Sequence, residues 1–340
     1  MGALDRAYRK ARFFVRRVTS FDRERVLQFA RQSARLSKAP LWWVTLDMVY
    51  CALRYEATFE NYSEWDFRIL SGRERATYMT DPRSFHLSRR LNDNAVRAAF
   101  DDKIEFAGRF SDELGREWID IRSASDDDLA AFLSRHDRVI TKDPSGVGGN
   151  GIQIRDSADL GTAADARRTL TDAGQVLAEQ LIVQHEDMAR LYPGSVNSLR
   201  VVAYRDPDDE VHILAAVLKI GNGGIIDNFS NGGMYTMLGD DGRALHPASD
   251  EEGHAFAVHP STGVEITGYQ VPLFDEVKAL VDTLARRVPE MPYIGWDIAI
   301  TPDGPVVIEG NHNSGVFQSK PSVSGIRQGL LPRYRAAMRF

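Results

Sequence analysis

Two acids and an amide stand close together in the stretch PYIGWDIAITPDGPVVIEGNHN, residues 292–313: Asp297, Glu309 and Asn311. The stretch reads as a β-hairpin. One run, 293–301, meets a turn at Pro302-Asp303-Gly304, and a second run, 305–311, leaves it. With three residues in the turn, Thr301 pairs with Pro305, Asp297 falls opposite Glu309, and Gly295 falls opposite Asn311. Side chains alternate along a strand. Ile294, Trp296, Ile298, Ile300, Val306 and Ile308 then make a core face, and the two acids and Asn311 share the other. Like charges directly opposite destabilise a sheet by roughly 0.2–1 kcal/mol. A hard cation between them removes that penalty, and Mg²⁺ takes oxygen ligands from one or two carboxylates together with substrate phosphates. A solvated outer face with acids aligned by chance is the alternative.

A second stretch, RVITKDPSGVGGNGIQI (138–154), has the makings of a phosphate site. A short strand ends at Lys142. A loop with Gly146, Gly148, Gly149 and Gly151 follows, and a second strand begins at Ile152. Glycines let the backbone approach a phosphate and point N–H groups at it. Lys142 adds a point charge. The next element is a strand and no GK[ST] occurs, which excludes a P-loop; the same strand excludes a dinucleotide-binding fingerprint. A flap folded over phosphates, or merely a flexible hairpin tip, fits this pattern.

The intervening elements must bring these stretches together. Lys103 lies in a short helix within 101–110. Residues 114–122 form a short strand, and the acids of 126–134 open a helix at the end where its dipole favours them. Residues 158–171 are a helix, and 175–184 (QVLAEQLIVQ) a strand carrying Glu179 and Gln180, with Glu186 beyond it. Residues 197–206 and 211–221 form a second hairpin, with Asn197 and Arg200 at its start and Lys219 at its end. The polar turn 227–233 could wrap a phosphate or an acceptor. The stripe of 273–287 is core. Residues 1–38 are basic and amphipathic, either a contact for a membrane surface or anionic glycan or a helix with a solvated basic face. Helices continue through 40–100, with breaks at Ser71-Gly72 and Asp81-Pro82, and a basic helix ends the tail.

The 340 residues carry a net charge of −6, which argues against general nucleic-acid binding. A single cysteine, Cys51, rules out an internal disulfide and a cysteine-based zinc site. No secretory signal is evident, and the most apolar segment, 39–53, contains Asp47 and is too short to span a bilayer. A cytoplasmic location is expected. No Ser-His-Asp or Cys-His arrangement stands out.

Taken in order, these pieces resemble the ATP-grasp superfamily. The matching positions are Asp102-Lys103, Lys142 before its glycine loop, the strand AEQLI at 178–182, NSLR at 197–200, and Asp297 with Glu309 and Asn311. The phrase IVQHEDMARLYPGSVNSLR and the DNFSNGGM turn resemble one branch, the sugar-transfer-associated ATP-grasp proteins related to α-L-glutamate ligases. Lys142-Asp143-Pro144 departs from the commoner Lys-Pro, and Ser198 stands where threonine is usual.

The resemblance implies an α+β fold of two subdomains clasping ATP: an N-terminal helical module over 1–95, a lid over 96–182 and a metal-bearing subdomain over 183–340. It implies that Lys103, Lys142 and loop 145–151 bind phosphates. Glu179 would accept from the adenine amino group, with Gln180 and Ile182 beside the ring, and Glu186 would bind ribose. Asp297, Glu309 and Asn311 would hold Mg²⁺, while Arg200, Lys219 and Asn197 stabilise the transferred phosphate. The implied reaction is ligation of a carboxylate to an amine through an acyl phosphate, on a sugar uronate of a surface glycan or on a peptide. His312 could orient the acceptor or be an ordinary loop histidine. The alternatives are an ATP-grasp phosphotransferase and a nucleotide-binding module without turnover.

Overall fold

The computed structural model describes residues 23–146, 151–224, 227 and 232–339. They fall into two compact units, one running through Ala76 and including Thr80–Pro82, the other comprising Thr77–Met79 and the chain from Arg83 onward.

The described part of the first unit is helical: Arg23–Ser37, Leu41–Tyr55, Phe59–Glu64, a 3₁₀ turn Phe67–Ile69, and Gly72–Arg75. Val44, Met48, Cys51 and Tyr55 recur at helical spacing and are buried, as are Tyr62, Trp65 and Phe67. Asp47 accepts from both Arg75 Nη atoms at 2.8 Å and from Tyr62 Oη at 2.7 Å. Burial pushes the Cys51 thiol up to about 12, so Cys51 is an inert core residue. Two sequence signals read as breaks are helix starts. Ser71 caps Gly72–Arg75 in a reciprocal pair with Glu74, and Asp81 opens the helix Asp81–Leu91.

The second unit contains two antiparallel sheets. The first has β1 (Trp118–Asp120), β2 (Arg138–Lys142), β3 (Gln153–Asp156) and β4 (Leu177–Gln180), in the order β1-β4-β2-β3. It lies within 96–182. Helices Asp126–Arg135 and Ala163–Asp172, capped by Ser125 and Thr162, pack Leu129, Phe132 and Leu170 against Val139 and Ala178. The second sheet has β5 (Ser198–Arg205), β6 (Val211–Ile220), β7 (Met234–Met237), β8 (Ala248–Ser249), β9 (Ala255–Phe256), β10 (Tyr293–Thr301) and β11 (Gly304–Asn311). Its order is β11-β10-β5-β6-β7-β8-β9, all within 183–340. The helix Phe274–Arg287 buries Phe274, Val277, Val281 and Leu284 in the same core as Ile294, Trp296, Ile298 and Ile300. The expected mixture of helices and antiparallel sheet, with helices at the N-terminal end, is the architecture observed.

The hairpin of β10 and β11 differs from expectation in its turn. Only Pro302 and Asp303 lie outside the ladder, and Thr301 pairs with Gly304. A bulge then restores the register, so Asp297 still faces Glu309 and Gly295 still faces Asn311. As a consequence Val307, rather than Val306 or Ile308, joins the core face. Beyond the bulge Gly310 lies opposite Trp296. A Cβ there would come within 2.8 Å of the Phe100 ring and 3.0 Å of Trp296. Gly310→Ala is expected to destabilise the protein by about 1–3 kcal/mol through overpacking, read as a fall in the midpoint of urea unfolding; an unchanged midpoint would show that the ring cluster has slack.

Candidate active site

Three adjacent strands build one charged row. In register, Arg200 on β5 faces Asp297 on β10, and Asp297 faces Glu309 on β11. Lys219 reaches the same place from β6. The Arg200 guanidinium grips Asp297 at two points: Nη2 donates to Oδ2 at 2.9 Å, and Nε donates to Oδ1. Lys219 Nζ lies 3.3 Å from the same Oδ2. Burial opposes charge on Asp297, but the two cations outweigh it and hold the carboxyl far below the usual range. Glu309 is shifted the other way. Burial and the facing Asp297 carboxylate both push it up. Asn311 Nδ2 donates to Glu309 Oε1 at 3.2 Å.

Small residues make room for this row. A Cβ at Gly295 would lie 2.2 Å from Ser314 Oγ and 3.0 Å from Arg200 Cδ. Ser314 Oγ accepts from Arg200 Nη1 at 3.4 Å, and the guanidinium carbon sits 5.9 Å from the centre of the Phe317 ring. Buried Asp227 accepts from Ser198 N at 2.8 Å and Ser198 Oγ at 2.5 Å, and its charge favours the ammonium form of Lys219. Ser198 therefore supplies the hydroxyl donor expected at that position.

A second cluster centres on Glu179, which is 3% exposed. Its Oε2 accepts from Lys142 Nζ at 2.6 Å and Arg116 Nε at 2.9 Å. Arg116 also donates through Nη1 to Val307 O at 2.9 Å, tying β11 to this cluster. Burial raises the Glu179 carboxyl, but the Arg116 and Lys142 charges prevail and bring it down to about 2. A carboxylate with a depressed folded value stabilises the fold above its unfolded value, and that contribution is lost as pH falls through the folded value. Between about pH 4.5 and 2, this site should therefore lose the stability its charge contributes. Urea midpoints measured over that range should fall less in Glu179→Gln than in the wild type; parallel curves would refute the assignment.

Lys103 lies between the two clusters electrostatically. Its Nζ donates to the carbonyls of Gly146 and Pro144, its N–H donates to Pro144 O at 3.1 Å, and Asp102 caps its helix. Burial lowers the Lys103 ammonium, while Glu309 supports it and Lys142 opposes it.

The remaining expected residues are distributed as follows. Gln180 pairs with Glu117 through its backbone and side chain, and Ile182 is half-buried. Glu186 is exposed at the first turn of the helix Glu186–Leu191. Gly151 has φ of +79° beside Asp143. Gly148 and Gly149 lie outside the described residues, as does most of the turn after Asp227. Asn197 is fully buried and its amide is committed to Gln184, Met188 O, Tyr192 O and Gly221 N, so it pins a loop instead of facing the charged row. Glu179, expected to meet adenine, has its Oε2 occupied by two cations. His312 pairs with Asp101 at 2.9 Å. Arg116 and Ser314 carried no local sequence signal.

The donor set fits a hard cation. Glu309, pushed up by burial and the facing carboxylate, and the Asn311 amide would offer oxygen ligands beside Asp297, whose two oxygens already accept from Arg200 and Lys219. Arg200 from β5 and Lys219 from β6 lie against Asp297, and Lys103 feels the Glu309 charge. Two antiparallel sheets with their helices carry this combination. The chain belongs to the family described as sugar-transfer associated ATP-grasp, whose model matches residues 83–331.

Solved structures with a similar fold include the ATP-grasp ligase PsnB complexed with a minimal precursor, at 16% identity and a TM-score of 0.42, covering 80% of this chain and 72% of that one. D-alanyl-alanine synthetase A from Vibrio cholerae O1 biovar eltor str. N16961 is similar at 14% identity and a TM-score of 0.41, covering 70% and 62%. D-alanine–D-alanine ligase from Bacillus anthracis gives 12% identity and a TM-score of 0.40, covering 75% and 69%. No curated protein matches the chain.

Proposed function

We propose that the protein joins a carboxylate to an amine through an acyl phosphate, using ATP. The observation that carries this reading is the row Glu309–Asp297–Arg200 with Lys219, together with Lys103, which feels the charges of both Glu309 and Lys142. Attack of a carboxylate on a γ-phosphate brings two anions together, so cations must supply most of the rate enhancement. Mg²⁺ held by Asp297, Glu309 and Asn311 would neutralise the phosphate oxygens. Arg200 and Lys219 are already fixed on Asp297, so their charge is oriented before substrate arrives. In this reading Lys103, Lys142 and loop 145–151 bind phosphates, and Gln180, Ile182 and Glu186 flank the nucleoside. Ordinary amide formation then releases phosphate, and no covalent nucleophile is needed from the protein.

The family's association with sugar transfer supports a glycan uronate as the carboxylate and an amino acid as the amine, within polysaccharide biosynthesis in the cytoplasm, where ATP is available. A peptide carboxylate is the other acceptor of this chemistry. The test is a screen for ADP and phosphate release with uronic acids, amino acids and peptides offered singly and in pairs, with Mg²⁺ present. Release that requires both a carboxylate and an amine supports the proposal. Release with a hydroxyl acceptor alone makes the protein a kinase, and binding of ATP with no release in any pair makes it a nucleotide-binding module.

A further inference from the structure

The helix Leu41–Tyr55 is apolar on two sides. Val44, Met48, Cys51 and Tyr55 are buried. On the opposite side Trp42, Leu46, Tyr50 and Leu53 are 65, 55, 52 and 54% exposed, with Trp43 beside them at 47%. At 100° per residue these five side chains fall within an arc of about 100°. Single exposed apolar residues are ordinary, but a contiguous aromatic and aliphatic stripe marks a contact surface. No helix among the described residues is long and apolar enough to cross a membrane.

Charge is divided unevenly along the chain. Residues 1–76 carry fifteen Lys and Arg against nine Asp and Glu, whereas residues 77–340 carry 27 against 39. The exposed bases of the first unit include Arg31, Arg35, Lys38 and Arg54. The acids exposed there, among the described residues, are Glu24 and Glu60, and Glu60 pairs with Arg25. An anionic surface would attract this unit and repel the rest of the chain. A second copy of the same net-positive unit would be repelled.

We infer that the stripe Trp42–Trp43–Leu46–Tyr50–Leu53 docks in the headgroup region of an anionic lipid bilayer. Indole and phenol rings suit that interface because one edge is apolar and the other can hydrogen-bond. The exposed bases of the same unit supply attraction to the lipid phosphates, and the helix lies in the plane without spanning it. Binding through a single face in this way would hold the enzyme at the membrane surface whatever its substrates are.

The test uses the full chain and sedimentation with phosphatidylcholine vesicles, with and without phosphatidylglycerol. The wild type should bind the anionic vesicles, bind less in high salt, and fail to bind phosphatidylcholine alone. The triple variant Trp42→Ser/Leu46→Ser/Leu53→Ser should bind about tenfold more weakly or worse, with unchanged circular dichroism and ATP-dependent turnover. A variant that binds as the wild type does, or a wild type that does not bind, overturns the proposal. So does a wild-type oligomer that the triple variant dissolves, because the stripe is then a contact between copies. Fluorescence provides a measurement that needs no destabilising change. Vesicles should shift the tryptophan emission to the blue, and Trp42→Phe/Trp43→Phe should bind without the shift. No shift in the wild type rejects the docking.

Discussion

Glu309→Gln is expected to abolish ATP-dependent product formation, lowering kcat by at least about a hundredfold, while leaving stability unchanged or slightly higher. The two halves of this result have separate causes. Glu309 faces Asp297 across the ladder, and burial adds to the repulsion, so the ionised carboxylate is a net burden on the fold when no cation lies beside it. A neutral amide of the same shape relieves that burden. The same exchange removes one anionic ligand from the proposed Mg²⁺ site.

Asp297→Asn should lose turnover to a similar degree but behave differently in stability. It leaves buried Lys219 and mostly buried Arg200 without the carboxylate they share. Breaking one side of a buried ion pair costs about 3–5 kcal/mol, less here to the extent that Glu309 and Asp227 take over part of the role. Turnover assays and thermal melts in the absence of Mg²⁺ check both variants. Wild-type turnover in Glu309→Gln would remove the metal assignment. Equal loss of stability in the two variants would refute the distinction between a paired acid and a strained one.

The parts legible in the sequence are those set by local periodicity. The hairpin of β10 and β11 was readable because alternation of large apolar residues on β10 fixes which face Asp297 occupies. The bulge was not, since Val306, Val307 and Ile308 are all apolar and a binary pattern cannot show which one the ladder skips. The helix Phe274–Arg287 and the β5–β6 hairpin followed their patterns closely. The stretch 175–184 did not: only Leu177–Gln180 forms a strand, set between three-residue β1 and five-residue β2. Long-range pairing was invisible. That Arg200 faces Asp297 depends on β5 lying beside β10, which are separated by almost a hundred residues. Asn197 looked like a site residue from its place at a strand start, yet buried polar groups at strand starts also serve to satisfy loop backbone. Arg116 sits in a connection with no motif around it, and only its partners reveal its role.

Lys142→Ala is expected to raise the Kd for ATP by about 10- to 100-fold, the loss of one charge-assisted contact to phosphate, with only a modest loss of stability. The structure explains why the two effects should separate. Lys142 and Arg116 share Glu179 Oε2, so removing the lysine leaves the buried carboxylate with one close cation. Arg116 cannot be spared in the same way, because it also holds the carbonyls of Leu114 and Val307. Arg116→Ala should therefore lower the melting temperature more than Lys142→Ala does and affect nucleotide affinity less directly. Isothermal titration with ATP and Mg²⁺, set beside melting curves of both variants, distinguishes the roles. Unchanged affinity in Lys142→Ala would mean that the lysine serves Glu179 alone, and phosphate binding would then fall to Lys103 and the flap. Lys103 is the weaker candidate for that task, since its ammonium already donates to the carbonyls of Pro144 and Gly146 and burial works against its charge.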